Sequence, residues 1–397
     1  MDIPNPADTM TKQDRLLCVC YFGTYRAGYA RNQIMIEGLR RAGIDVVECH
    51  ETLWRGGEDR VQVASGGWTH PAFWWRVIKA YILLIRRYCL VKDYDILVVG
   101  YPGQYDVFLA RLLSWLRHKP LVWDVLNSMY LITLDRGLAR QHPLTAALIR
   151  FLERVACRLP DRLILDTAAF VAWFQETHGV GPKRFRLVPI GADDQAFEQI
   201  SREPRPLSVS LDGSFRVLYY GSYIPNHGVG VIVEAAKLLQ AETDIHFELV
   251  GDGPGKAAAF ELAGRYGLKN LTFIDWLDKP ELARKVAACD ICLGTFGNTL
   301  QASLTNNNKI YEGFAMVKPV ISGVSPAVPA LLKHGEHLYL CERGNPQALA
   351  EAILTLKNDL GLCKHLGEMG HRIFHEQFDI AHIGEVFAAH LWELERR

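Results

Sequence analysis

The feature that most constrains this chain is an alternation. Short, nearly continuous apolar runs trade places with amphipathic stretches, twice over, with one break between. RLLCVCYFG, IDVVECH, DILVVGYPG, KPLVWDVLN and DRLILDTAA read as strands, and NQIMIEGLRRAG, closed by Gly43, reads as the helix between the first two. Strands that are apolar at nearly every position are buried on both faces, so the pattern predicts a parallel sheet covered by helices on each side. Near residue 200 it dissolves into SREPRPLSVSLDGSF, rich in Ser and Pro, and then restarts with RVLYYGSY, VGVIVEAAKLLQAE, HFELVGDG and GKAAAFELAGRYG. A length of 397 residues suits two domains. The expected organisation is a doubly wound α/β domain over 1–200, a linker over 201–214 and a second doubly wound domain over 215–397, with the C-terminal helix packing back on the first. Such a pair places a ligand cleft between the domains, at the C-terminal ends of the strands.

Charge narrows the partners. The chain carries 44 Lys+Arg against 44 Asp+Glu with 49% hydrophobic residues, which excludes a disordered chain and argues against a nucleic-acid binder. The zero is a sum of opposites: residues 1–200 hold 25 basic and 21 acidic residues, and the remainder 19 and 23. Within the first half, residues 68–92 read WTHPAFWWRVIKAYILLIRRYCLVK, with Trp68, Trp74, Trp75, Tyr81 and Tyr88. On a helical wheel Arg76, Lys79, Arg86 and Arg87 form one narrow basic stripe. Two readings stay open: insertion into an anionic membrane surface, or a buried helix with one solvated stripe. No run reaches the ~18 apolar residues of a membrane span. The polar start MDIPNPADTMTKQDR lacks the make-up of a signal peptide. The expectation is therefore a cytoplasmic protein, soluble or peripheral at the cytoplasmic face.

Nine cysteines, mostly in apolar runs, fit a reducing compartment. Cys289-Asp-Ile-Cys292 has redox or zinc spacing, but no second ligand pair accompanies it, so buried strand cysteines are the better reading and no metal is expected. GDGPGKAAA nominally fits a dinucleotide fingerprint as Gly253-x-Gly255-x-x-Ala258, with Asp275 near the position of a ribose acid. It follows the second strand of its half rather than the first, and no Ser or Thr follows Lys256. A tight strand-to-helix turn is favoured over NAD binding.

Taken in order, YYGSYIPNHGVGVIVEAAKLL, FELVGDGPG, NLTFIDWL, AACDICLGTFG, NNNKIYEGFAMVKPVISG and GNPQALAEAILTL resemble the C-terminal domain of retaining glycosyltransferases of the GT-B fold, family 4. Upstream, RLPDRLILDTAAF and FRLVPIGAD are similar to that family's last N-terminal strand and its exit to the linker. The resemblance runs from about Leu16 to Phe378. It implies two Rossmann-like domains facing across a cleft. It also implies a nucleotide-sugar donor (UDP- or GDP-linked) used as substrate with no cofactor, and a glycan or lipid-linked hydroxyl acceptor.

A nucleoside diphosphate needs its two phosphates offset and its ribose gripped, and helix N-termini suit phosphates. Thr305, Asn306, Asn307 and Asn308 precede the helix KIYEGFAM and provide such a terminus, with Asn or Thr as N-cap. Glu312 matches the family's ribose-binding glutamate. The family's first glutamate would lie eight residues earlier, where this chain has Leu304. In the loop Gly221 to Gly228, Ser222 stands where the family usually has Arg, and His227 lies near its Lys position. Lys309 is the candidate for the missing positive charge and, with Asp124, for a catalytic role. Gly221 and Gly251 belong to the donor side. In Gly23-Thr24-Tyr25-Arg26-Ala27-Gly28, Gly23 is assigned to the donor phosphates, and Tyr25, Arg26 and Gly28 to the acceptor. Arg26 and Arg31 pair with phosphate or stay solvated. Asp124, at a strand's C-terminal end, is expected to orient or deprotonate the acceptor hydroxyl, or else to cap the next segment. A nucleotide-sugar epimerase and a non-catalytic GT-B subunit remain as alternatives.

Overall fold

The computed structural model describes residues 16–25, 27–53, 70–193, 197 and 213–395. Arg26, Trp68 and all of the expected linker except 213 and 214 lie outside the described residues.

Two six-stranded parallel sheets carry the fold. The first contains β1 (Cys18–Gly23), β2 (Asp45–His50), β3 (Ile96–Val99), β4 (Leu121–Asp124), β5 (Arg162–Leu165) and β6 (Phe185–Leu187), in the order β2-β1-β3-β4-β5-β6. The second contains β7 (Phe215–Tyr220), β8 (Ile245–Val250), β9 (Leu271–Ile274), β10 (Ile291–Leu293), β11 (Val320–Gly323) and β12 (Tyr339–Cys341), in the order β12-β11-β10-β7-β8-β9. Both orders reverse once, so the first sheet has its switch point between β1 and β3 and the second between β7 and β10. The loops that follow these strands therefore diverge and leave a crevice.

Helices alternate with the strands as the periodicity requires. In the first half these are α1 (Ala30–Arg41), α2 (Pro71–Leu90), α3 (Asp106–Leu116), α4 (Met129–Asp135), α5 (Pro143–Ala156) and α6 (Ala168–His178). In the second they are α7 (Val229–Leu238), α8 (Lys256–Tyr266), α9 (Lys279–Ala288), α10 (Leu300–Leu304), α11 (Asn308–Ala315), α12 (Pro346–Asn358), α13 (Leu360–Gln377) and α14 (Ile380–Glu395). Their starts follow local chemistry: the side chains of Ser128, Thr167, Asp278 and Asn345 each accept a backbone N–H of the first turn.

One face of the first sheet packs α2, α3, α5 and α6 through Leu84, Val107, Ala156 and Phe170. The other face packs α1 and α14 through Ile34, Met35, Ile383 and Phe387. The C-terminal helix thus returns to the first half. Gly38 of α1 meets Gly384 of α14 so closely that a Cβ on either would run into the other's backbone.

Among the described residues, no helix is long and apolar enough to cross a membrane. Helix α2 is not buried all round, since only Ala80, Leu84 and Tyr88 are covered. Cys289 and Cys292 are buried, free thiols with their sulfurs 3.5 Å apart. No group of three or more His, Cys, Asp or Glu side chains is arranged to hold a metal among the described residues.

Candidate functional site

The two halves meet where the C-terminal ends of their strands face one another. The Thr167 hydroxyl, after β5, donates to the Leu304 carbonyl at 2.5 Å. Gln301 Nε2 donates to Asn127 Oδ1 at 3.0 Å, and Asn308 Nδ2 to the Gly191 carbonyl at 3.0 Å. Lys279 pairs with Asp193 at 2.9 Å.

At the switch point of the second sheet, the loop after β7 packs on the loop after β10: Phe296 N–H donates to the His227 carbonyl at 3.1 Å. Into this corner points the N-terminus of α11. Asn307 is its N-cap in extended conformation, yet its side chain makes no capping hydrogen bond. Its Nδ2 donates instead to Thr295 Oγ1 at 3.2 Å. Asn306 holds the approach, with its Nδ2 donating to the Tyr311 hydroxyl at 2.9 Å. Thr305 turns back to donate to the Gln301 carbonyl at 2.9 Å. Backbone N–H groups and the positive end of the helix dipole make this terminus fit for an anion.

Lys309, one residue into α11, lies under that corner. Its Nζ is 3.4 Å from Asn307 Oδ1, 3.4 Å from His227 Nδ1 and 5.2 Å from the centroid of the Tyr219 ring. The lysine is buried, and burial pulls its pKa down from 10.5 to about 7, with Glu312 opposing. His227 is pushed well below its usual range by burial and then by Lys309, so it is neutral. Its Nδ1 lies within hydrogen-bond distance of the Ser222 carbonyl and 2.9 Å from the Tyr219 hydroxyl. The loop position where the family usually carries lysine therefore holds a neutral ring, and the cation arrives from the helix instead. Gly221 makes room for it. Its φ of 129° suits glycine, and a Cβ there would stand 2.9 Å from Lys309 Nζ.

Glu312 lies one turn further on. Burial raises its pKa, opposed first by the Tyr220 hydroxyl and then by Lys309. Beside the same loop, a cavity of about 540 Å³ opens between Asp135 and Arg136 of the first half and Tyr223, Pro225, Gly228 and Gly255 of the second.

Other expected residues have different duties. Asp124 is fully buried, and Arg31 closes on it with Nε–Oδ2 and Nη2–Oδ1 distances of 3.0 Å each. Arg31 also donates to the Val188 and Pro189 carbonyls. The aspartate is thus neither an acceptor base nor a cap, and Arg31 is neither a phosphate ligand nor solvated, because each has used its polar atoms on an internal ion pair. Tyr25 is buried as well and donates to Glu48 at 3.2 Å, which removes it from the acceptor side. Gly23 faces the Asp106 carboxylate, which binds the Thr24 N–H at 2.7 Å. Gly28 is exposed, with open space around it.

The GDGPG segment is a turn: Gly251 and Gly253 have φ of 133° and 144°, and their backbone lies against Gly221 and Tyr223. Asp275 is tied to Lys256 rather than poised for a ribose. Leu304 is buried in the core of the first half, so the place of the family's first glutamate is an apolar plug between domains.

Sequence reasoning missed Asp166. It follows β5, is buried, accepts the Asn306 N–H at 3.4 Å, and its Oδ1 has no hydrogen-bond partner among the described residues. Burial raises its pKa to about 6. Its place after a strand in DRLILDTAA was the available signal, as it was for Thr295 after CDICL.

The chain matches the family described as Glycosyl transferases group 1 over residues 214–359 and the Glycosyl transferase 4-like domain over residues 26–191. This chain belongs to the group 1 glycosyltransferases. Among curated proteins, the chain is 28% identical over 153 residues to an uncharacterized glycosyltransferase of Methanocaldococcus jannaschii, covering 38% of the chain and 41% of that protein. It is also 28% identical over 151 residues to N-acetyl-alpha-D-glucosaminyl L-malate synthase of Bacillus anthracis, covering 37% of each. The matches thus span about two fifths of the length of these relatives. In fold it is similar to HepE of Anabaena in complex with UDP, with a TM-score of 0.68 and 16% identity over 96% of this chain and all of that one. Sucrose-phosphate synthase of Thermosynechococcus elongatus superposes with a TM-score of 0.69 and 16% identity over 96% and 99% of the two chains. Both sheets of this glycosyltransferase therefore form the paired Rossmann-like domains of the GT-B architecture.

Proposed function

We propose that this chain transfers a sugar from a UDP-sugar or related nucleoside-diphosphate donor to an acceptor hydroxyl on a glycan or lipid-linked carrier, with retention at the anomeric carbon. One observation carries the reading: the N-terminus of α11 brings a lysine, the positive end of a helix dipole and a carboxylate to the switch point of the second sheet. A nucleoside diphosphate needs that set, with the cation and helix end for its phosphates and Glu312 for its ribose hydroxyls. The UDP and UDP-glucose complexes of HepE support a donor of this kind.

In the proposed step, the bond from the anomeric carbon to the β-phosphate oxygen breaks as the acceptor oxygen bonds that carbon on the same face. The departing phosphate oxygen takes the acceptor's proton. Charge grows on the diphosphate, and Lys309 with the Asn307–Asn308 end of α11 stabilises it where it grows. The cost of protonating Lys309 in a buried site is offset by the dianion beside it. Asp166, which follows β5 in the first sheet, is the carboxylate we assign to the acceptor hydroxyl, on the ground that its Oδ1 has no hydrogen-bond partner among the described residues.

A donor screen of the purified chain with UDP- and GDP-sugars, reading released nucleotide and calorimetric binding together, tests this. Binding with turnover supports it, and failure to bind any nucleotide refutes it. Binding without turnover on any acceptor would instead favour a non-catalytic subunit.

A further inference from the structure

The outward surface of the helical layer on the first sheet is unlike that of an ordinary α/β domain. Helix α2 turns Trp75, Ile78, Ile82 and Ile85 to solvent, with Trp75 71% exposed. Helix α3 does the same with Leu112, Trp115 and Leu116, at 53–70%. Helix α5 adds Leu144, Leu148 and Phe151, at 51–86%. In each helix these residues recur at the three- and four-residue spacing of one stripe, and the opposite stripe is buried in the sheet's core. Helices α2 and α3 are fastened side by side: the Tyr81 hydroxyl donates to Asp106 at 2.7 Å, and Arg117 stacks 4.6 Å from the centroid of the Tyr88 ring. The three stripes belong to helices packed on one face of the first sheet rather than to scattered surface residues, and exposed apolar side chains gathered on one face mark interaction surfaces.

Charge identifies the partner. The only acids on the three helices, Asp106 and Glu153, are buried. Lys79 and Arg86 on α2 and Arg150 and Arg154 on α5 are exposed beside the apolar stripes. The basic character continues past Trp115 into a second cavity of about 720 Å³ at the N-terminal ends of β4 to β6, lined also by Lys119, Lys183 and Arg184. Tryptophans with flanking Lys and Arg suit the boundary between lipid headgroups and acyl chains. A second copy of the chain would set like charges against each other.

We infer that the outer faces of α2, α3 and α5 dock together on an anionic lipid bilayer, while the cleft lies at the sheet's C-terminal edge, to one side of that layer. The surface is broader than residues 68–92, and it is independent of the donor reading because it shares no residue with the donor corner.

Flotation of the full chain with phosphatidylcholine vesicles, with and without phosphatidylglycerol, at low and high salt tests the inference. The expected result is binding to anionic vesicles only, weakened by salt. Lys79→Glu with Arg86→Glu should weaken it at least roughly 30-fold. Trp75→Ser with Trp115→Ser should weaken it at every salt concentration. Thermal melts read that each variant is folded. Absence of wild-type flotation with anionic vesicles overturns the inference, as does flotation of both variants at the wild-type level. A dimer in sedimentation velocity that the tryptophan variant abolishes, with vesicles ignored, also overturns it, because the surface would then be a self-association face.

Discussion

Replacing Lys309 by Met probes the donor corner through two opposed effects. In the free protein the lysine's pKa is about 7 because it is buried, whereas an unfolded lysine titrates at 10.5. The sign follows from linkage: a lysine whose folded pKa is depressed costs stability over the whole range in which the unfolded chain holds its proton. That cost is full at and below pH 7 and fades as pH rises to 10.5. Lys309→Met should therefore raise the melting temperature of the ligand-free protein at pH 7, by an amount that shrinks toward pH 10.

Donor binding should move the other way. A charged hydrogen bond to phosphate contributes about 1.5–3 kcal/mol, so UDP affinity should fall roughly 10- to 150-fold at pH 7. The dianion restores the lysine's proton, so wild-type binding takes up a proton above pH 7. About half of the free lysine is charged at pH 7 and about one part in a hundred at pH 9, which predicts roughly 50-fold weaker UDP binding across that interval. UDP's own ionisations, of the terminal phosphate toward the lower end of this interval and of the uracil toward its upper end, act equally on wild type and Lys309→Met, so the difference between the two slopes reports the lysine. Calorimetry in two buffers of different ionisation enthalpy measures both the affinity and the proton uptake. A wild-type affinity flat from pH 7 to 9, or the same slope in Lys309→Met, would refute the reasoning.

Three further perturbations test other parts of the structure. Glu312→Ala removes the carboxylate assigned to the ribose diol and should weaken UDP binding roughly ten-fold or more, while uracil-free pyrophosphate binding stays close to wild type; equal losses for both ligands would count against the ribose role. Asp124→Asn breaks an ion pair that is fully enclosed and should cost about 3–5 kcal/mol in urea unfolding, whereas a catalytic loss without destabilisation would return Asp124 to the site. Gly384→Ala drives a methyl into the backbone of α1 and should cost about 1–3 kcal/mol, visible in the same unfolding curves as a lowered midpoint.

Much of this protein was legible one segment at a time. The strands, the turn at GDGPG, the buried cysteine pair and the start of α11 all follow from patterns within a few residues of one another. Glu312 and Lys309 could be proposed together because both lie on a single short helix whose start is written in Thr305-Asn306-Asn307-Asn308. Asp124 was misread for a related reason. Its position after a strand points to the ligand side, but its partner Arg31 is 93 residues away. Nothing local distinguishes an aspartate that faces a cleft from one that meets an arginine.

Asp166 shows the converse, since the same strand-end rule applied to it and the tertiary structure left one of its oxygens without a hydrogen-bond partner among the described residues. The substitution of Ser222 and His227 for the family's usual cations looked like a loss from the sequence. In three dimensions Lys309 enters the same corner from another element, and Gly221 gives it space.

The sequence by itself determined the class of the fold and the start of α11, because periodicity and capping are short-range properties that each segment carries alone. Tertiary structure decided which charges neutralise each other internally, as Arg31 does Asp124. It also decided that the aromatic stripe of α2 shares its face with those of α3 and α5. Those outcomes depend on which distant side chains the sheet order brings within a few ångströms, and no local pattern encodes that.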